Sequence, residues 1–422
     1  MKSPCRVREH LSRRAFLKAS LSVGGAAVAN WGGLFNSTSI AAEAKKQGMR
    51  CILLWMNGGA SQIDTFDMKP GRPTGGPFRP ISTNVTGTQV CEYLPKLAQQ
   101  TDKLAIIRSM VTSEPDHPGG ITSMHIGYRP EVTIAHPELG AVIAKYHGKP
   151  DADLPTFIRM GPTGNGGAGF LGPEYQPFSI GRDGRLPQFS DPYASAESEQ
   201  RRGDLLRVIE DGFTQENKAD PFGAHRLAKE KAWKLLKSKG IFDVTKDWPK
   251  AKERYGDSDF GRGCFLARKL VEAGVPFVEV GHDNYDSHAD NFVCHKANMN
   301  QLDPAWSTLL LDLQERGLLE KTLVVWMGEV GRTPYINNRA GRDHYIRAWS
   351  IVLAGGGVKG GLTYGETDID GKTVKDKPVT EGDLFATIYS ALGISPRTKH
   401  MVGTRPITVA PERSVAVTDI LS

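Results

Sequence analysis

Apolar runs of strand length recur along this chain, and each borders a cluster of glycine, histidine or carboxylate residues. Arg50–Met56, Thr322–Met327 and Trp349–Ala354 are apolar almost throughout rather than alternating, and Val275–Val280 is apolar apart from Glu279. A strand that is apolar on both faces must be covered on both faces, as in the centre of an α/β sheet. A shorter run, Lys103–Arg108, reads as a further strand. Helical spacing appears over 136–146, 197–212, 222–238, 258–273, 303–316 and 381–392, with a turn or helix through Met124–Gly127. Asp257 or Ser258 can cap the helix over 258–273. This alternation predicts a mostly parallel central sheet with helices on both faces.

The polar borders of the strands carry the chemistry. After Val280, the residues His282 to Cys294 hold three Asp and two His. Asp286 and His288 are two apart, so a short turn can aim both at one cation. Glu329 follows the 322–327 run, and His344 precedes the 349–354 run. Any one of these could simply cap a helix or face solvent. In succession beside predicted strands, they point to one site along the carboxyl edge of the sheet. A mixed His/carboxylate set suits a divalent zinc or manganese ion, or iron, better than calcium.

Ser61 and Asp64 follow the first strand in Asn57-Gly-Gly-Ala-Ser61-Gln-Ile-Asp64; they either join the site or bond the backbone of their own turn. The paired glycines allow close approach to a ligand or to another strand. Arg332 and Arg342 flank the ligand candidates and either clamp an anionic oxygen or salt-bridge the carboxylates. His282, Asp283 and His295 are expected behind the ligands or at the surface.

The N-terminus reads as an export signal. Ser12-Arg-Arg-Ala-Phe-Leu-Lys18 is a twin-arginine motif, followed by an uncharged Ala19–Ala42 stretch and an Ala42-Glu-Ala44 cleavage site. Residues 1–44 are therefore read as a signal peptide and 45–422 as one domain, periplasmic or secreted. The signal carries six Lys/Arg against two Asp/Glu, so most of the net charge of +6 leaves with it. No basic block remains, which excludes a nucleic-acid partner. Cys51, Cys91, Cys264 and Cys294 stay behind without any C-x-x-C, against a cysteine metal cluster. Residues 148–195 are rich in Gly and Pro, but Phe157, Phe170, Tyr175 and Phe178 favour an ordered loop over a linker. They open an insertion running to about residue 257. No G-x-S-x-G elbow exists, against an α/β-hydrolase triad.

Several stretches together resemble the bacterial family called domain of unknown function 1501, whose members are twin-arginine-exported and sulfatase-like. They are Asn57–Pro70, Gly169-Phe-Leu-Gly-Pro-Glu-Tyr-Gln-Pro-Phe178, Tyr255-Gly-Asp, Leu266–Val275, Tyr285-Asp-Ser-His288, Gly328-Glu-Val-Gly-Arg-Thr-Pro334 and Gly341-Arg-Asp-His344. Tyr285 stands where Trp is usual, and Val330 where Phe is usual. The resemblance implies an alkaline-phosphatase/sulfatase-like α/β fold. It would place Asp286 and His288 at that superfamily's Asp…His step, Glu329 at its Asp-His step without the His, and His344 as the final His. The sulfatase nucleophile motif C/S-x-P-x-R is missing, and His117 stands ten residues before Gly127 instead. Formylglycine is thus excluded, leaving a metal-activated water, His117 or Ser61 as nucleophile.

Two functions follow as expectations. One is a metal-dependent hydrolase acting on an anionic small-molecule or polysaccharide ester of sulfate or phosphate. The other is a non-catalytic protein that keeps the fold to bind a ligand or an exported protein partner.

Overall fold

The computed structural model describes residues 48–149, 152–164, 166–186, 195–217 and 238–422. The export motif, its cleavage site and nearly all of the helix expected over 222–238 lie outside these residues. In chain order the strands of the main sheet and of the ribbon beside the site are β1 (Arg50–Met56), β2 (Leu104–Met110), β3 (Phe157–Met160), β4 (Phe178–Ile180), β5 (Phe277–His282) and β6 (Thr322–Met327). Then come β7 (Gly331–Arg332), β8 (His344–Tyr345), β9 (Trp349–Gly355) and β10 (Leu362–Tyr364). The main sheet has eight strands in the order β10-β2-β9-β6-β1-β5-β3-β4, while β7 and β8 form a separate two-residue ribbon. All main-sheet pairings are parallel except those of β9, which runs against β2 and β6.

Residues Cys51 to Met56 are all fully buried, as their unbroken apolar character demands. Ile52, Leu54 and Met56 pack with Leu266, Leu270, Leu302 and Leu309. These come from α4 (Asp259–Glu272) and α5 (Asn291–Glu315), which follow α1 (His117–Ile126), α2 (Leu139–His147) and α3 (Ala196–Asn217). Cys51, Leu53 and Trp55 face the other way, against Val142 and Ile143 of α2 and Phe385 and Ile388 of α6 (Glu381–Ala391). Helices on both faces close the core. Among the described residues no helix is long and apolar enough to cross a membrane.

Two expectations need correcting, and two alternatives left open are decided. The Gly/Pro-rich stretch is not only loop, because β3 and β4 are strands of the main sheet. Arg159 in β3 disguised this, since a charge inside a central strand argues against one. The structure neutralises that charge: Arg159 Nε donates to Glu279 Oε2 of β5 at 3.0 Å, and Glu138 binds the same guanidinium. The helix expected over 303–316 begins at Asn291 and runs through Pro304. Its polar first half and internal proline broke the apolar pattern. Met124–Gly127 is the end of α1, which starts at His117 with Asp116 as its cap, accepting from Gly119 N at 2.8 Å. Ser258, not Asp257, caps α4, accepting from Gly261 N at 3.0 Å.

Candidate metal centre

The reversed strand explains how residues before one strand meet residues after others. β2, β5 and β6 leave the sheet at its carboxyl edge, and β9, running the other way, enters there. His344 precedes β9 and so reaches the same edge as Asp286, which follows β5. His117, at the start of α1 after β2, arrives there too.

Local backbone choices aim the side chains. Gly58 has φ +105°, and a Cβ on it would sit 2.3 Å from Asp286 N; one on Gly59 would sit 2.3 Å from Val330 O. Of the two uses expected for these glycines, close packing against neighbouring segments is the one the structure shows. Tyr285 N donates to Asn57 O at 3.1 Å and Arg342 N to Ser287 O at 2.9 Å, which fixes the Asp286 turn from both sides. In the small ribbon His344 pairs with Arg332. Gly58→Ala is expected to push this turn outward and to cost more than the ~1–2 kcal/mol of left-handed strain alone. A denaturant midpoint no lower than that of Gly212→Ala, where a Cβ meets nothing within 4 Å, would contradict it.

His117, Asp286, His288 and His344 each offer one ligand atom, and these atoms lie within 4.8 Å of one another. His344 Nε2 is 2.8 Å from His117 Nε2 and 3.3 Å from His288 Nε2. Asp286 oxygens are 3.2 Å from His117 Nε2, 3.0 Å from His288 Nε2 and 3.5 Å from His344 Nε2. The opposite ring nitrogens determine what these atoms are. His344 Nδ1 lies 3.0 Å from Pro115 O, which can only accept. His288 Nδ1 lies 2.6 Å from Asp343 Oδ1, and His117 Nδ1 lies 2.9 Å from Glu329 Oε1. Each Nδ1 therefore takes a proton as donor, so in the neutral ring each Nε2 turns a lone pair toward the Asp286 carboxylate. Such a convergence of ring nitrogens and a carboxylate could hold a metal ion, and an oxygen behind each imidazole is the usual support of a metal-bound histidine.

Burial pushes the Asp286 carboxyl up, but Arg332, donating at 2.7 Å, with His117 and His288 nearby, holds it down at about 2. Glu329 raises His117, whereas burial, with Arg332 and His117, lowers His344.

The remaining candidates lie elsewhere. Glu329 is fully buried behind His117, accepts from Gly58 N at 2.7 Å, and does not face the cluster. Asp64 is not among the converging atoms. It is fully buried and accepts from Arg342 Nε at 2.8 Å, Ser61 Oγ at 2.6 Å and Asn291 Nδ2 at 2.8 Å. Ser61 is thereby committed to Asp64. Arg332 and Arg342 are fully buried. Beyond their carboxylates, Arg332 donates to Gly58 O, Gly59 O and Arg342 O, and Arg342 to Thr333 O, Pro334 O and Thr74 O. Of their two expected uses, salt-bridging carboxylates is the one present. The supports Asp343 and Pro115 escaped sequence reasoning. Asp116-His117-Pro118 carried a helix-start signature that could have placed His117 at the edge.

His295 stands behind Ser61, accepting from Ser61 N at 2.8 Å, and burial pushes it down to about 4. His282, stacked on Phe260, is likewise pushed by burial, with help from Arg182, down to about 3. A histidine kept neutral in the fold contributes stability fully above its ordinary value of 6.5, and that stability is lost as pH falls toward the folded value. His125, raised by Glu279, works in the opposite sense. The stability advantage of the native chain over His295→Gln should therefore shrink by up to roughly 3 kcal/mol from pH 7 to pH 4. Urea midpoints of both proteins across that range check it, and a constant gap would contradict it.

Fold and site together define an α/β protein with a candidate metal centre at the carboxyl edge of its sheet. The family model described as "Protein of unknown function (DUF1501)" matches residues 48–421, and the chain belongs to that family. No curated protein gives a match. Among solved structures, the chain is similar to the PsFucS1 sulfatase from Pseudoalteromonas sp. (14% identity, covering 85% of this chain and 70% of that one, TM-score 0.43). It is also similar to the C-terminal periplasmic domain of EcEptC from Escherichia coli, in complex with Zn (10% identity, 88% and 95% covered, TM-score 0.39). A third likeness is to a protein in the alkaline phosphatase superfamily from Vibrio parahaemolyticus (10% identity, 86% and 76% covered, TM-score 0.37).

Proposed function

We propose that the chain is an exported, metal-dependent hydrolase of sulfate or phosphate esters that works without formylglycine. One arrangement supports this most: three Nε2 lone pairs and a carboxylate converge on a partly exposed point, with every Nδ1 held from behind. This donor set fits zinc or manganese. His117, Asp286, His288 and His344 would hold the ion, which when bound supplies Lewis acidity toward an ester oxygen and acidifies a water. Glu329, Asp343 and the Pro115 carbonyl orient the rings, and Arg332 keeps Asp286 ionised and aimed. His117, as a ligand, is no longer free to act as nucleophile in this reading.

The second reading, a binding protein that retains the fold, is favoured by one observation. Ser61, Arg332 and Arg342 are all consumed by buried partners, so none of them presents a nucleophile or an anion clamp to the cluster.

Elemental analysis of protein recovered from the periplasmic or secreted fraction, followed by a sulfate- and phosphate-ester screen, separates the readings. Recovery there also tests export. One metal per chain with turnover is the expected result. Metal without turnover would favour the binding role, and a folded, metal-free chain unable to take up zinc or manganese would overturn both the centre and the hydrolase.

A further inference from the structure

A cleft of about 670 Å³ opens between the loop after β2, the end of α1, the start of α6 and the segment around Pro411. None of its lining residues is a metal-ligand candidate. Arg129 and Arg413 line it, are exposed, and have no ion-pair or hydrogen-bond partner among the described residues. Ser414 also lines it and is only 8% exposed, yet its hydroxyl has no hydrogen-bond partner among the described residues. Gly382 makes room for that hydroxyl, since a Cβ there would meet Ser414 Oγ at 2.2 Å.

The eleven-residue α6 begins at the same place, and the amides of Glu381 and Gly382 donate to no acceptor among the described residues. Open amides at a helix start, at the positive end of its dipole, favour an anion. Two carboxylates also line the cleft, each hydrogen-bonded by neutral donors. Glu381 accepts from Thr112 Oγ1. Asp383 accepts from Thr380 N at 3.1 Å, Thr380 Oγ1 at 2.7 Å and Val415 N at 2.7 Å. The donors left uncommitted among the described residues are two guanidinium groups, the Ser414 hydroxyl and two amides, beside one open carboxylate oxygen, Glu381 Oε2.

We infer that this cleft binds a tetrahedral oxyanion, a sulfate or phosphate group, independently of the metal centre. Guanidinium forks and open amides match tetrahedral oxygens in geometry and charge. The inference does not rest on the hydrolase reading, because binding here needs no metal and no turnover.

The test is calorimetric titration of the full-length protein, stripped of metal with EDTA, with inorganic phosphate and with sulfate at low ionic strength. The expected result is one anion per chain, retained in His288→Ala and weakened by added salt. Arg129→Ala and Arg413→Ala should each weaken binding about tenfold, ~1.4 kcal/mol, and Ser414→Ala should weaken it too. Both arginines are exposed, so their variants should melt like the parent. Titration with dextran sulfate identifies the source: tighter binding than free sulfate points to a group carried on a polymer, equal binding to the free ion. No binding by stripped protein at millimolar anion, or binding that the arginine variants leave unchanged, would overturn the inference.

Discussion

His288→Ala should yield a folded chain that has lost its metal. His288 brings one of three converging Nε2 atoms, and its removal leaves Asp343 without the imidazole it holds at 2.6 Å. Losing a supporting partner alone costs a metal site about 10–100-fold in affinity. Losing the ligand itself should cost more, and any metal-dependent turnover should fall with it. Asp343→Asn provides the graded comparison, since it keeps an oxygen near His288 Nδ1 but removes the charge. Metal titration of the parent and both variants should rank them parent, Asp343→Asn, His288→Ala in falling affinity. A His288→Ala protein that still binds one zinc as tightly as the parent would show that the cluster is only a polar network.

The second large effect concerns stability. Arg342 and Asp64 form a fully buried pair, and Arg342 also holds three carbonyls that accept no other hydrogen bond among the described residues. Arg342→Met should cost about 3–5 kcal/mol, because it leaves a carboxylate buried beside only Ser61 and Asn291. The double variant Asp64→Leu with Arg342→Met removes both charges and should recover much of that loss. Guanidinium unfolding of the three proteins measures this. A single variant within ~1 kcal/mol of the parent would mean that the pair does not hold the loops together. Since neither side chain faces the cluster, the Arg342→Met chain should still take up metal at temperatures where it stays folded.

Much of the fold was legible because its central strands are covered on both faces and so read as unbroken apolar runs. β1 and β6 fall where the runs fall. Arg159 in β3 hid its strand, because the carboxylates that neutralise it, Glu279 and Glu138, are distant in sequence. In the site, Asp286, His288 and His344 were readable from their position beside strands. Glu329 was readable as a site residue, but sequence could not say that it stands behind His117 rather than beside it. That depends on Gly58 and α1 approaching the same carboxylate, a three-dimensional fact without a local signature. The choice for Arg332 and Arg342 between a ligand and a structural carboxylate was equally open, since a guanidinium beside ligand candidates suits either use.

The reversed strand has a thermodynamic consequence. Because β9 enters where the other strands leave, the imidazoles of His117 and His344 meet across 227 residues of chain. An ion held by both would close that loop as a covalent staple does, restricting the unfolded chain by roughly 5 kcal/mol on the loop-entropy estimate. The four cysteines of the described chain form no such link; all are free thiols, three of them buried. In this fold the cross-linking role that disulfides play elsewhere would fall to a coordination bond, reversible by a chelator and indifferent to reductant.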